Sequence, residues 1–139
     1  MYKKINANLI FRIEDSAFIP VDESNADYIT YLQWKLEGNT PLPADPVPVE
    51  TVIEAMTAKI QERLDGFAKT RGYDGIMSAC TYAASQVPKF ATEGQYCVSA
   101  RDSTWLAASI ILNDVQAGIR PSPTQDELMA DLPVLAWPV

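Results

Sequence analysis

The stretch RGYDGIMSACTYAASQVPKFATEGQYCVSARDSTWLAASIILNDVQAG, residues 71–118, decides the fold. It contains two helical patterns that part at Val87-Pro88. Ile76, Cys80, Ala83 and Val87 recur at helical spacing in the first. Cys97, Ala100, Thr104, Ala107, Ile111 and Val115 follow at steps of three and four in the second, so each helix turns one stripe toward a partner. Alanine, serine, threonine and cysteine dominate the stripe, which lets neighbouring helices approach closely, while Trp105, Ile110 and Leu112 fill the wider gaps. The pattern describes a packed helical core and not a reactive centre.

Upstream, Val49 to Phe67 reads as a long amphipathic helix, with Ile53, Met56, Ile60, Leu64 and Phe67 on its apolar face. Glu50 and Glu54 fall in its first turns, where the helix dipole favours acidic groups. Asp74, between Gly72 and Gly75, is placed to cap the helix that carries Ile76, and Pro88 either opens the next helix or ends the last one. Downstream, Pro121-Ser122-Pro123 forces a turn. Thr124 and Glu127 form a capping box that starts a short helix through Leu128 and Met129. The chain ends DLPVLAWPV, and Leu132, Val134, Leu135 and Trp137 are too apolar to be left in water. This tail either packs back across the helices or buries itself in another protein.

Toward the N-terminus, Tyr2 to Ile5, Leu9 to Ile13 and Ala17 to Ile19 read as short strands, with Pro20 ending the last or confining it to an edge. So small a hairpin or meander must lean on another element. That element is a helix opening at Ser24-Asn25-Ala26-Asp27, carrying Tyr28, Tyr31, Leu32, Lys35 and Leu36, and stopping at Gly38-Asn39. Tyr28, Tyr31 and Trp34 either cover the little sheet or dock a partner. Residues 40–49, TPLPADPVPV, carry prolines at 41, 43, 46 and 48, a semi-rigid extended spacer and the clearest boundary in the chain. The expected fold is mainly α, of α+β class. It comprises a β-hairpin or meander plus helix over 1–40, a proline-rich linker over 41–49, and an antiparallel bundle of three to four helices with an apolar tail over 50–139.

The 139 residues carry 18 acidic and 11 basic side chains, a formal net charge of -7, divided so that neither 1–40 nor 41–139 holds a basic patch. Such a field repels phosphate backbones and anionic lipid, which argues against nucleic-acid or membrane partners. Histidine is absent, removing Ser-His-Asp and Cys-His catalysis and the usual catalytic zinc centres. Cys80 and Cys97 alone cannot complete a zinc site, and free, buried thiols in a reducing cytosol are favoured over a disulfide. There is no phosphate-binding glycine loop, no dinucleotide fingerprint and no Cys-x-x-Cys. Asp65, Asp74, Glu93 and Asp102 are the candidates for a carboxylate pair, but each is also explained as a cap or a solvated face. The expectation is no enzyme, no catalytic residue, no metal and no cofactor. The N-terminal apolar run is too short and too charged for a leader, and no stretch approaches a membrane span.

Two stretches carry a family resemblance. DESNADYITYLQWKLEGNTPLPADP, residues 22–46, resembles a segment of small proteins encoded beside the tail-fibre genes of tailed bacteriophages. There a strand ending in Ile-Pro leads to a Tyr/Trp-bearing helix, a Gly-Asn-Thr-Pro stop and a Pro-Ala-Asp-Pro linker. RGYDGIMSACTYAASQVPKFATEGQ, residues 71–95, with Trp105 and Ala136-Trp137-Pro138, is similar to the helical C-terminal part of such proteins. The resemblance implies a non-enzymatic role: a tail-fibre assembly chaperone, or a permanent structural component of the tail, fibre or baseplate. It implies a fibre or other tail protein as partner, with homo-oligomerisation open, and residence in the host cytoplasm during assembly or retention in the virion tail. Less favoured is a carbohydrate-active enzyme. The residues expected to bind the partner are Tyr28, Tyr31, Trp34, Leu135 and Trp137.

Overall fold

Three short strands, β1 (Tyr2–Asn6), β2 (Leu9–Arg12) and β3 (Ala17–Pro20), pair in sequence order as an antiparallel meander. The computed structural model describes residues 1–139 and falls into two units, Met1–Pro46 and Val47–Val139. In the first unit the Asn6 side chain accepts the Asn8 amide and closes the β1–β2 turn, and Ser16, at φ 58°, turns β2 into β3. Helix α1 (Ala26–Leu36) lies against the face formed by Tyr2, Ile10 and Ile19, with Tyr31 in the shared core. Its cap is Asn25, whose side chain accepts the amides of Asp27 and Tyr28, rather than Ser24. The Ser24 hydroxyl instead donates to Asp22, which leaves the better-placed amide oxygen next to the helix. Arg12 ties the sheet to α1, donating to Asp15 at 2.7 Å and to Asp27 at 2.7 Å.

The proline-rich stretch is only partly a spacer. Leu42, between two prolines, keeps an N–H, and donates it to the Tyr2 carbonyl at 2.9 Å while its own carbonyl accepts from Lys4 at 2.9 Å. Extended proline geometry makes Leu42 a ready parallel partner for the free edge of β1. Lys3 pairs with Asp45 at 2.7 Å and pins the next step of the same segment.

The second unit is built on α2 (Val49–Lys69) and the 29-residue α4 (Pro88–Gln116). Met56 and Ile60 meet Ala108, Ile111 and Val115 at one end, where α5 (Gln125–Asp131) adds Leu128 and Leu132 follows. Leu64 and Ala68 meet Cys97 at the other, with Ile76 and Ala79 from α3 (Ile76–Thr81), and Trp105 packs against both clusters. The expected stripe on α4 holds except that Ala108 is sealed where Ala107 was expected, and Ile110, expected inside, is 60% exposed. One step of four after Thr104 puts Ala108 on the α2 side and carries Ile110 past the contact. The Thr124–Glu127 capping box forms as read. No helix is long and apolar enough to cross a membrane.

Two local expectations are corrected. The helix beginning at Ile76 stops at Thr81, continues as one 3-10 turn over Tyr82–Ala84, and does not reach Val87. Pro88 drives Val87 into extended backbone, and a close approach fixes the 3-10 turn. A Cβ on Gly94 would stand 2.3 Å from the Ala83 nitrogen and 2.5 Å from the Tyr82 carbonyl carbon, so α4 touches this turn backbone to backbone. The cap of α3 is not Asp74 but Asp65 of α2, which accepts the Ile76 amide at 2.9 Å across Gly75.

Two substitutions follow with opposite signs. Gly94→Ala forces α4 off the 3-10 turn and lowers unfolding free energy by about 2 kcal/mol or more, by analogy with overpacked cores. Thr104 is fully buried and its hydroxyl has no hydrogen-bond partner. Thr104→Val removes that orphan without changing shape and raises stability by about 1 kcal/mol. Urea denaturation of the two variants beside the parent chain reads both.

Candidate protein-binding surfaces

The aromatic row of α1 is committed to its own sheet. Tyr31 is 3% exposed and meets Tyr2 edge-on with centroids 5.1 Å apart; Trp34 lies 5.0 Å from Tyr2, and Tyr28 stacks at 5.8 Å on Tyr31. Burial pushes the Tyr31 hydroxyl pKa up, so the ring stays neutral in this core. Tyr28 and Trp34 remain partly exposed at the margins of the contact.

The tail is likewise engaged by its own unit. Trp137 stacks on Phe67 at 4.3 Å and 17°, its indole N–H donates to the Thr70 hydroxyl at 2.9 Å, and the Arg71 guanidinium lies 5.2 Å from its ring. Leu135 packs against the Leu64–Cys97 core. The Ala136 amide donates to the Tyr96 hydroxyl at 2.8 Å, and Arg63 donates to the Pro133 carbonyl at 2.8 Å, so the backbone is held as well as the rings. Trp137 therefore serves chiefly as a lock over the end of α2.

The surface that the sequence reading passed over is the second face of the meander. Register places Lys3, Phe11 and Phe18 side by side on it, opposite to the row Lys4, Ile10 and Ile19. Phe11 and Phe18 touch at 5.0 Å between centroids, and Phe18 is 64% exposed. Leu9 shares the face by alternation, and Ile13 stands exposed just past β2. The signal lay in LIFR and AFIP, strands apolar at consecutive positions, which a sheet covered on one face alone does not need.

The acidic candidates have separate roles. Asp65 caps α3, Glu93 is buried beside Arg71 with 3.6 Å between nearest charged atoms, and Asp74 and Asp102 are exposed. No three of the Cys, Asp and Glu side chains gather as a metal-binding group. Cys80 and Cys97 are both free, in the same core cluster. No family model matches the chain, and neither a curated protein nor a solved structure matches it.

Trp137→Ala is expected to destabilise the helical unit by about 3 kcal/mol, the usual cost of truncating a large packed aromatic. Phe18→Ser should shift stability by no more than about 0.5 kcal/mol. Thermal and urea unfolding followed by circular dichroism separate the two. Burial, then Cys80 and Glu93 nearby, pushes the Cys97 thiol up to about 11, against an ordinary value of about 8.5. The unfolded chain loses this proton first as pH rises. The stability from the neutral thiol is therefore full below about pH 8.5 and falls away toward pH 11. Urea midpoints at pH 7 and pH 10 should converge in Cys97→Ala relative to the parent chain.

Proposed function

We propose that this chain works by binding another protein, as a tail-fibre assembly chaperone of a tailed bacteriophage, and that it carries out no chemistry. The observation that carries the reading is the apolar face of Phe11 and Phe18, exposed on a sheet whose other face is already filled. The resemblance of residues 22–46 and 71–95 to proteins encoded beside tail-fibre genes supplies the partner class. In this reading the helical unit is an antiparallel bundle of three to four helices, and the protein acts in the host cytoplasm during assembly.

Magnitude favours a transient contact. Taking about 200 Å² for a whole aromatic side chain, covering Phe11 and Phe18 removes on the order of 200 Å² of apolar surface from water, worth roughly 5 kcal/mol before costs. Lost translational and rotational freedom offsets several kcal/mol of that. The area is also well below the roughly 800 Å² per partner of a stable interface. Such a contact suits capture and release better than permanent incorporation. Tyr28 and Trp34 lie with α1 on the opposite side of the sheet, and Leu135 and Trp137 are engaged within their own unit.

Co-expression with the neighbouring fibre protein tests the proposal. Soluble fibre should depend on this chain and fall several-fold with Phe18→Ser, whose own folding is checked by circular dichroism. Fibre that is equally soluble without the chain overturns the chaperone reading, and fibre rescued equally by Phe18→Ser overturns the choice of face. Stoichiometric recovery of the chain from purified particles identifies a permanent component instead.

A further inference from the structure

A cleft at the start of α4 has no place in that function. Two adjoining cavities of about 500 and 230 Å³ share Arg71, Lys89 and Glu93. Arg71, Lys89 and Glu93 line this cleft, with Pro138 and Val139 beside them in the larger cavity, and Lys89 pairs with no acidic group. No side chain caps this end of α4 and no acidic residue sits in its first turn, so the amides of Lys89 and Phe90 are free at the positive end of the helix dipole. Tyr82 and Phe90 form an aromatic wall, meeting edge-on at 5.7 Å, each about 40% exposed.

The helix end alone would attract any anion. Glu93 narrows the chemistry. It is 4% exposed, lines both cavities, and its Oε2 accepts no hydrogen bond, since Arg71 at 3.6 Å is too far to donate one. A buried carboxylate left with unfilled acceptor capacity calls for a donor. Arg71, 40% exposed at its side chain, makes no hydrogen bond to Glu93 but overlies the Trp137 ring, so an incoming acid has to draw it from both before the carboxylate opens to the cleft.

We infer that this cleft binds a hydroxylated ring bearing an acid group, that is, an acidic sugar carrying a carboxylate or a phosphate. The acid lies between Lys89, Arg71 and the free amides. A ring hydroxyl donates to Glu93, and the C–H face of the ring rests on Tyr82 or Phe90. Uncharged sugars lack the first contact and simple anions lack the other two.

The full chain, labelled with ¹⁵N, is titrated with glucuronate, glucose 6-phosphate, glucose and inorganic phosphate. Saturable shifts are expected at the Lys89 and Phe90 amides and at the Trp137 indole, which Arg71 overlies, with one or both acidic sugars; which of the two responds identifies the acid. Lys89→Glu should weaken binding about tenfold or more, as loss of a charge-assisted contact does, while its unchanged spectrum elsewhere reports an intact fold. Phe90→Leu, which keeps bulk but not the ring, should weaken it several-fold. The inference fails if neither acidic sugar saturates, if Lys89→Glu binds as well as the parent chain, if glucose binds as tightly as its acids, or if inorganic phosphate alone does so.

Discussion

Ile60 and Leu64 are completely sealed from water, and the second unit depends on what seals them. The opposing helix offers Cys97, Ala100, Thr104 and Ala108, side chains small enough for the two backbones to close over a pair of large aliphatic residues. Larger residues on that stripe would separate the helices and expose both clusters together. Trp105, packed against both clusters, makes them one continuous core. At its far end the same helix permits an even closer approach, because Gly94 lets it meet the Tyr82–Ala83 backbone without an intervening side chain.

Much of this was legible in the residues because the controlling signals are local. Short β-prone runs bounded by turn chemistry place the three strands, and the 3.6-residue period places α1, α2 and α4. The Thr124–Glu127 box starts α5 because its donors and acceptors lie three residues apart. What escaped depends on residues far apart in the chain. Asp65 caps an amide eleven positions later, a partnership that displaces the nearer Asp74. Gly94 has no visible role until Ala83 is set against it.

The site residues divide along the same line. An aromatic residue at helical spacing identifies a contact but not its partner, and Tyr31 and Trp137 turned out to have theirs within their own units. Phe11 and Phe18 were harder to single out, since strand propensity explains them as well as exposure does. Only the register of the sheet, with Ile10 and Ile19 taken up by α1, leaves the two phenylalanines without a cover. Lys89, Arg71 and Glu93 come from the beginning of one helix and the end of another, and nothing in the linear order marks their meeting.

The way β1 and β3 end constrains how the meander can be approached. Leu42 already occupies the outer side of β1, and β3 is four residues long and finishes in Pro20, which has no amide hydrogen to offer. An incoming polypeptide therefore finds little backbone against which to lengthen the sheet, while the broad side carrying the phenylalanines stays accessible. For any polypeptide that meets this sheet, stacking is favoured over strand addition. The same geometry protects against runaway ribbon growth, allowing a greasy surface to persist without seeding fibrils.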